Sequence, residues 1–547
     1  MDVALAGAGF VFIILFRVET KFLLATAPPD FFLQDSVFSS GLSFQAHLSM
    51  GSGIISMAYN FERLSAQDHS FLVFEKGGVH MHISATQIFE AGPMRTAEGG
   101  IDVEAFRRAT AAVLHQIPRY RQKLKWIPIE GRPVWIDDHT FNLDYHIRHT
   151  SLPRPGGMEQ LKHLSARIMS QPLDRSRPLW ESWLVEGLEG GDKFAIITKI
   201  HHCMVDGTSG VDLTHILLST GPDQVPGEPR PYVPRPEPSS MDLLRESMIR
   251  NVTLPLKAAQ GLRTLARETK DLGQEVGLRI QAVSDLIGLA VRGADDTPIN
   301  GKLGPHRRFD WLSMPLDDVK RVSKKIGCTV NDVVLATVSG AIRDFLVYRR
   351  VEPAGLEFRV SAPVSMRRGE DKGKLGNSVS SWIIPLPIER ADPLERVQAI
   401  NEITKELKSS KQALGVEMMM AMAELSPSML LSLGARAASG PINMIVTNVP
   451  GPQVPLYLLG AKLVEMYPLV PLMENTGIGV ALFSYDGKLC WGFNAEYQMV
   501  ADLRVFVKLV DSSFRELAAA AGVETSTPPE AALSSVATAG GAGENPR

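Results

Sequence analysis

Apolar positions recur at helical spacing from Asp102 to Leu114, which predicts an amphipathic helix there. Phe194 to His202 is instead a short, nearly unbroken apolar run, the pattern of a buried strand. A second region with the same mixture of strand and helix patterns runs from about 306 to 520. Between the two, 222–238 holds seven prolines in 17 residues, a semi-rigid extended linker. Residues 241–292 follow as helical segments broken near Pro255, mixing Leu, Ile and Val with Arg245, Arg250, Lys257, Arg263, Arg267 and Arg279. Such a basic amphipathic segment either lies on a membrane surface or packs one face on the protein and solvates the other; the pattern leaves both open. Strands alternating with helices on both sides of the linker predict α/β layers.

The ends read differently. Val3 to Phe16 is uncharged but only 14 residues long, short for a membrane span. Ala25-Thr26-Ala27 resembles a signal-peptidase site, yet Asp2 precedes the apolar run and Arg17 and Lys21 follow it, the reverse of a secretory signal. Pro28 would also block cleavage there. Residues 1–56 are therefore expected to be an extension outside the fold, with Met50 or Met57 as alternative starts. From about 522 the chain is small, polar and aperiodic, a disordered tail.

Composition narrows the class. The chain has 547 residues and a formal net charge of −3, from 57 basic and 60 acidic side chains, so no electrostatic footprint for nucleic acid is present. Three cysteines without CxxC spacing exclude a disulfide scaffold and a thiolate zinc site. No apolar run reaches the ~18–20 residues of a spanning helix. A cytoplasmic enzyme, peripheral on membrane or lipid at most, is expected.

The candidate chemistry lies in KFAIITKIHHCMVDGTSGVDLTHILLS, 193–219. It reads as a strand ending at His201-His202, a turn with Asp206-Gly207, and a helix from about Thr208. Adjacent residues on a strand point to opposite faces, so His201 and His202 cannot easily share one metal ion, and no HExxH is present. No metal is expected. Two readings of the pair stay open: both satisfied structurally, or one in a cleft as general base with the other supporting it. A GxSxG elbow is lacking, and Cys203, diverging from its neighbours, is expected to be packing.

HHCMVDG at 201–207 fits the HHxxxDG motif of CoA-dependent acyltransferases. Further blocks resemble one branch, the bacterial wax ester synthase/diacylglycerol acyltransferase family: Leu64-Ser65 with Asp68, Phe71-Leu72 and Met81-His82; QPLDRSRPLWE at 171–181; Asn331-Asp332 in NDVVLA; Pro363 to Arg367 with Gly376-Asn377; and NVPGP at 448–452. They occur in the expected order from about 60 to 520. Ala66 stands where proline is common, and the N-terminal extension is atypical.

The resemblance implies an α/β fold of two lobes, chloramphenicol acetyltransferase-like, with the active-site channel between them. The expected divisions are an extension (1–56), a first lobe with the motif (57–221), the linker with its amphipathic helical segment (222–305), a second lobe (306–521) and the tail (522–547). It also implies transfer of a long fatty acyl group from acyl-CoA, a co-substrate rather than a resident cofactor, to diacylglycerol or a long-chain alcohol. By the same carry-over His202 is the general base and His201 its support. Asp206 orients the loop, with Arg121 or Arg175 as ion partner, and Gly207 permits the turn and offers an oxyanion N–H. Asn331 either shapes the site or caps its helix. Arg367, Arg368, Lys372 and Lys374 either meet CoA phosphates or form a solvated loop. Met418 to Met422 and Leu425 to Leu433 either line an acyl tunnel or are helix core. Two rivals remain: condensation-type acyl transfer to another acceptor, and a silent protein that coats lipid bodies.

Overall fold

The strand-and-helix alternation resolves into two six-stranded mixed sheets in a computed structural model that describes residues 61–204, 216–224, 227–250, 253, 293–365, 379–409 and 442–526. Strands of the first half are β1 (Phe61–Arg63), β2 (His82–Glu90), β3 (Gln122–Trp126), β4 (Pro133–Asp137), β5 (Ile147–Ser151), β6 (Trp180–Leu188) and β7 (Lys193–His201). The second half supplies β8 (Arg307–Pro315), β9 (Phe358–Ser365), β10 (Val379–Leu386), β11 (Met444–Pro450), β12 (Tyr457–Leu458), β13 (Ala461–Leu469), β14 (Ile478–Tyr485) and β15 (Lys488–Glu496). The first large sheet has the order β12-β13-β2-β7-β6-β5 and the second β10-β9-β11-β14-β15-β8; β1, β4 and β3 form a small third sheet. The two-lobed α/β architecture expected from the sequence is present.

Local chemistry accounts for the elements. β7 lies between β2 and β6 with both faces covered, which is why its sequence reads as an apolar run rather than an alternation. Helix α1 (Ala66–Phe74) starts at Ser65, whose hydroxyl accepts from the Asp68 N–H at 3.0 Å. Helix α2 (Val103–Val113) begins at Asp102, whose carboxylate accepts from the Ala105 N–H at 2.8 Å, and it buries Phe106, Ala109 and Ala112. Helix α3 (Met158–Met169) covers the face of the first sheet toward the second lobe. In the second lobe, α4 (Leu316–Ile326), α5 (Val330–Tyr348), α6 (Pro393–Ser409) and α7 (Leu503–Ala520) pack on the sheet. α5 is apolar nearly all round because it is buried nearly all round.

The cap of α5 corrects one expectation. Thr329, not Asn331, caps it: the Thr329 hydroxyl accepts from Asp332 N–H at 3.2 Å, while Asp332 accepts the Thr329 N–H at 2.8 Å. Asn331 sits one step too far into the helix to reach those donors.

The chain ties the lobes together. β12 and β13, from within the expected second lobe, are hydrogen-bonded into the first sheet, where β13 pairs antiparallel with β2. Ser219 and Tyr457 exchange backbone hydrogen bonds of 2.9 and 2.8 Å beside this junction. Ile88, Leu161, Val185 and Ile197 share one apolar cluster with Phe309, Trp311, Tyr467 and Cys490. Trp311 stacks on Tyr467 with centroids 4.7 Å apart, and Lys162 of α3 meets Asp310 at 2.5 Å.

The proline-rich stretch has neither helix nor strand over 227–239 and is pinned along the first lobe. Arg235 forks onto Asp137 at 2.7 and 3.0 Å, and Tyr232 donates to the Arg121 carbonyl at 3.1 Å. A helix over 240–250 follows, burying Leu243 against Ile127, Val134 and Ile136 and leaving Met241 and Met248 exposed. Among the described residues no helix is long and apolar enough to cross a membrane. The expectations for 1–56, for most of 251–292 and for all of the 522–547 tail but its first residues lie outside the described residues; 522–526 are tied to the second lobe, with Val523 packed on its core and the Ser526 N–H donating to Asp318 at 2.8 Å.

Candidate active site

β7 ends at His201, and His202 opens a short 3₁₀ turn, His202–Met204. The period of the strand sends the two imidazoles apart. His201 is buried, 1% exposed. Its Nδ1 accepts from the Cys203 N–H at 3.1 Å, which places the ring proton on Nε2. His202 keeps partial exposure and lies flat on Phe71 of α1, centroids 4.0 Å apart and planes inclined by 29°. Its backbone N–H donates to the Met81 carbonyl at 2.8 Å. Burial in this crowded setting pushes the His202 imidazole down to about 4, so the ring is neutral at pH 7.

A carboxylate stands beneath His201. Glu75, at the C-terminal end of α1, has Oε2 3.4 Å from His201 Nε2 and 2.5 Å from an Arg175 nitrogen. Its Oε1 lies 3.4 Å from His82 Nε2 and 3.9 Å from His80 Nδ1, and accepts the Met81 N–H at 3.2 Å. His82 and His201 are cross-strand partners in the β2–β7 pairing. Burial alone would raise the Glu75 carboxyl; His201 first, then His82 and Arg175, hold it well below the usual carboxylate range. Burial also keeps His82 far below the ordinary histidine value, and His80 below it to a lesser degree.

The expected residues fare differently. His201 and His202 occupy one corner with divergent rings. Cys203 is enclosed in the first-lobe core, and burial pushes its thiol well up, so it holds its proton. Arg175, one candidate partner for Asp206, pairs with Glu75; Arg121 lies over the Tyr232 ring, 4.3 Å from its centroid. Asp206, Gly207, Arg367, Arg368, Lys372 and Lys374, and both stretches considered for a tunnel, fall outside the described residues. Asn331 belongs to the first turn of α5 in the second lobe. Among the described residues no cluster suited to a metal ion occurs.

Glu75, His80 and Phe71 carried no role in the sequence reading. The one signal was His80-Met81-His82, two histidines on one face at the start of a strand. The PLDRSRPLWE block is built into the same lobe: Asp174 accepts the Ser176 N–H at 2.9 Å, and Trp180 Nε1 donates to the Tyr120 carbonyl at 2.8 Å. Glu181 lies 3.7 Å from Lys199 Nζ, a fully buried ammonium that also donates to the carbonyls of Ile168 and Gln171 at 3.1 and 3.0 Å.

Comparison with known proteins identifies the family. Residues 64–334 match the catalytic domain of the wax ester synthase/diacylglycerol acyltransferases, and residues 375–518 match the C-terminal domain of the same proteins. A probable diacylglycerol O-acyltransferase of Mycobacterium tuberculosis is 31% identical over 464 residues, covering 83% of this chain and 96% of its own. This chain belongs to the wax ester synthase/diacylglycerol acyltransferase family. Its members include a solved wax ester synthase/diacylglycerol acyltransferase from Marinobacter aquaeolei VT8, similar at 25% identity with a TM-score of 0.58, over 84% of this chain and 100% of that one. The starter condensation domain of rhizomide synthetase, solved with C8-CoA and Leu-SNAC, shares the fold at 12% identity and a TM-score of 0.52, over 87% and 97% of the two chains. The protein is thus an acyltransferase, as the sequence led one to expect.

Proposed function

We propose that this acyltransferase moves a long-chain fatty acyl group from acyl-CoA to the free hydroxyl of diacylglycerol, with long-chain alcohols as a second acceptor class. Diacylglycerol is placed first because the relatives at 30–31% identity carry that substrate in their names. The observation that carries the mechanism is the divergence of the histidine pair: His201 locked in the interior, His202 neutral and partly open on Phe71.

Nε2 of His202 takes the acceptor hydroxyl proton as the oxygen attacks the thioester carbonyl. The tetrahedral oxyanion then collapses, the C–S bond breaks, and the same proton passes to the CoA thiolate. A neutral ring is required for the first step, and burial supplies it. The imidazolium formed during attack is offset by the oxyanion beside it. Asp206 and Gly207 keep the loop-orienting and oxyanion-donor roles implied by the motif, and the basic residues at 367–374 that of contacting CoA phosphates. No acyl-enzyme is needed, since a thioester is already activated. Both substrates being lipids, the exposed face of the 240–250 helix is assigned to contact with a membrane or lipid-inclusion surface.

Purified protein with labelled palmitoyl-CoA, diacylglycerol and hexadecanol tests the reading. His202→Ala is expected to lower ester formation by ~10²–10⁴-fold, about 3–5 kcal/mol. Equal ester from both proteins would remove His202 as base. Turnover with neither acceptor, alongside tight lipid binding, would favour the coat protein; acyl transfer only to amines would favour condensation chemistry.

A further inference from the structure

Two buried histidines, His82 and His201, and the part-buried His80 converge on one carboxylate, Glu75, and the reaction scheme above gives that carboxylate no part. Glu75 is held from four sides. His201 Nε2 and an Arg175 nitrogen approach Oε2 at 3.4 and 2.5 Å; His82 Nε2 and the Met81 N–H approach Oε1 at 3.4 and 3.2 Å. Two structural chains run from this carboxylate to His202. Through the side chain, the Glu75 charge lies 3.4 Å from His201 Nε2, an ion contact rather than an aligned hydrogen bond, and favours a proton on that nitrogen; Nδ1 accepts the Cys203 N–H at 3.1 Å, closing the 3₁₀ turn that begins at His202. Through the backbone, Glu75 fixes the Met81 peptide by its N–H, and the carbonyl of Met81 accepts the His202 N–H at 2.8 Å.

We propose that Glu75 is a positioning residue for acyl transfer: by selecting the Nε2–H tautomer of His201 and fixing the Met81 peptide, it seats the turn that presents His202. The proposal rests on the reading of His202 as base. Adjacent residues at a strand end have few restraints of their own, and a half-ångström error at a general base is costly to the rate. A carboxylate acting through a second histidine to fix ring and loop supplies the restraint without touching substrate.

The charged and titratable groups facing the cluster come from several elements. Arg175 approaches from the loop before β6, Lys199 from β7, His80 and His82 from the start of β2, Asp68 from α1, and Arg307 from β8, where it donates to the Gly78 carbonyl. Three of them are cationic side chains; Glu181 faces Lys199 and Glu496 acts on Arg307, so removing Glu75 takes away the carboxylate that faces Arg175 and the histidines directly.

The variants Glu75→Gln and Glu75→Asp separate the two parts of the proposal. Glutamine offers its oxygen to Met81 and turns an N–H₂ toward His201 Nε2, donor against donor, which drives His201 toward the Nδ1–H tautomer and breaks the bond from Cys203. Nitrogen-15 spectra of histidine-labelled protein report that tautomer in the resting state, whatever the activity. The expected result is a shift of the His201 signals in Glu75→Gln with kcat reduced 10–100-fold and KM for palmitoyl-CoA changed by less than 3-fold. Glu75→Asp, keeping the charge one methylene short, is expected to keep the His201 tautomer and lose less than 10-fold in kcat. Wild-type kcat in Glu75→Gln, or equal losses in both variants with unaltered His201 signals, would overturn the proposal. A His202→Ala protein that retains activity would instead defeat the reading of the base, and the tautomer spectrum would still judge Glu75 by itself.

Discussion

Histidines set the response to acid. His146 is buried, donates from Nδ1 to the Trp180 carbonyl at 2.8 Å and stacks on the Trp180 ring; burial lowers it to about 4. His202 is lowered to about 4 as well, and His80 and His82 lie below the ordinary value. In the unfolded chain each takes a proton near pH 6.5, so that state binds more protons than the folded one as the pH falls. Stability is therefore complete above pH 6.5 and lost progressively toward pH 4. For His146 alone the shift corresponds to about 3 kcal/mol as an upper bound. Glu75 acts in the same sense in a lower pH window: its carboxylate stays ionised below the unfolded value, a contribution lost only under stronger acid. Denaturant midpoints are expected to fall between pH 7 and pH 5, and to fall less in His146→Phe, which keeps the ring stack. A midpoint that held steady or rose on acidification would contradict this account. The divergence of His201 and His202 was legible in the sequence because a strand alternates faces. Glu75 was not, because nothing in a single chain says that the residue just after one helix will meet the end of a distant strand.

At the scale of elements, the linker and its helix divide the work. Arg235, Tyr232 and Lys125 fasten the prolines to the first lobe, and Leu243 plugs the small sheet, so the buried side of the 240–250 helix is fixed. Met241, Arg245 and Met248 lie on its other side, each exposed. Contact with anionic lipid through this side leads to a direct expectation: Met241→Asp with Met248→Asp lowers flotation with phosphatidylserine-containing liposomes several-fold while ester formation from detergent-dispersed substrate stays within 2-fold. Unchanged flotation would discard the assignment. The amphipathic pattern had left open whether this segment packs or meets membrane; over 240–250 one face does pack. Capping was half legible. NDVVLA marked the start of α5, but Thr329 and Asp332 share the cap because only their spacing brings hydroxyl and carboxylate back to the free N–H groups.

The whole molecule behaves as two sheets with one seam. Arg307 joins them near the histidine corner by donating to the Gly78 carbonyl, and Trp311, Tyr467 and Lys162 extend the seam along α3. Trp311→Ala removes a large buried ring and is expected to cost ~3–5 kcal/mol. Hydrogen exchange should then accelerate in β2 and β7 as well as in β8 and β15; acceleration confined to β8 and β15 would show that the lobes unfold independently. Two α/β regions flanking a linker were legible from periodicity. That 457–469 would leave its own half was not, since strand pairing across such a separation leaves no mark on local pattern.

That crossing has a consequence during synthesis. Until the ribosome has delivered the chain past Leu469, β2 has β7 on one side and an open edge on the other, a bare row of amides and carbonyls next to the histidine corner. The first sheet is therefore completed only when nearly the whole polypeptide has emerged.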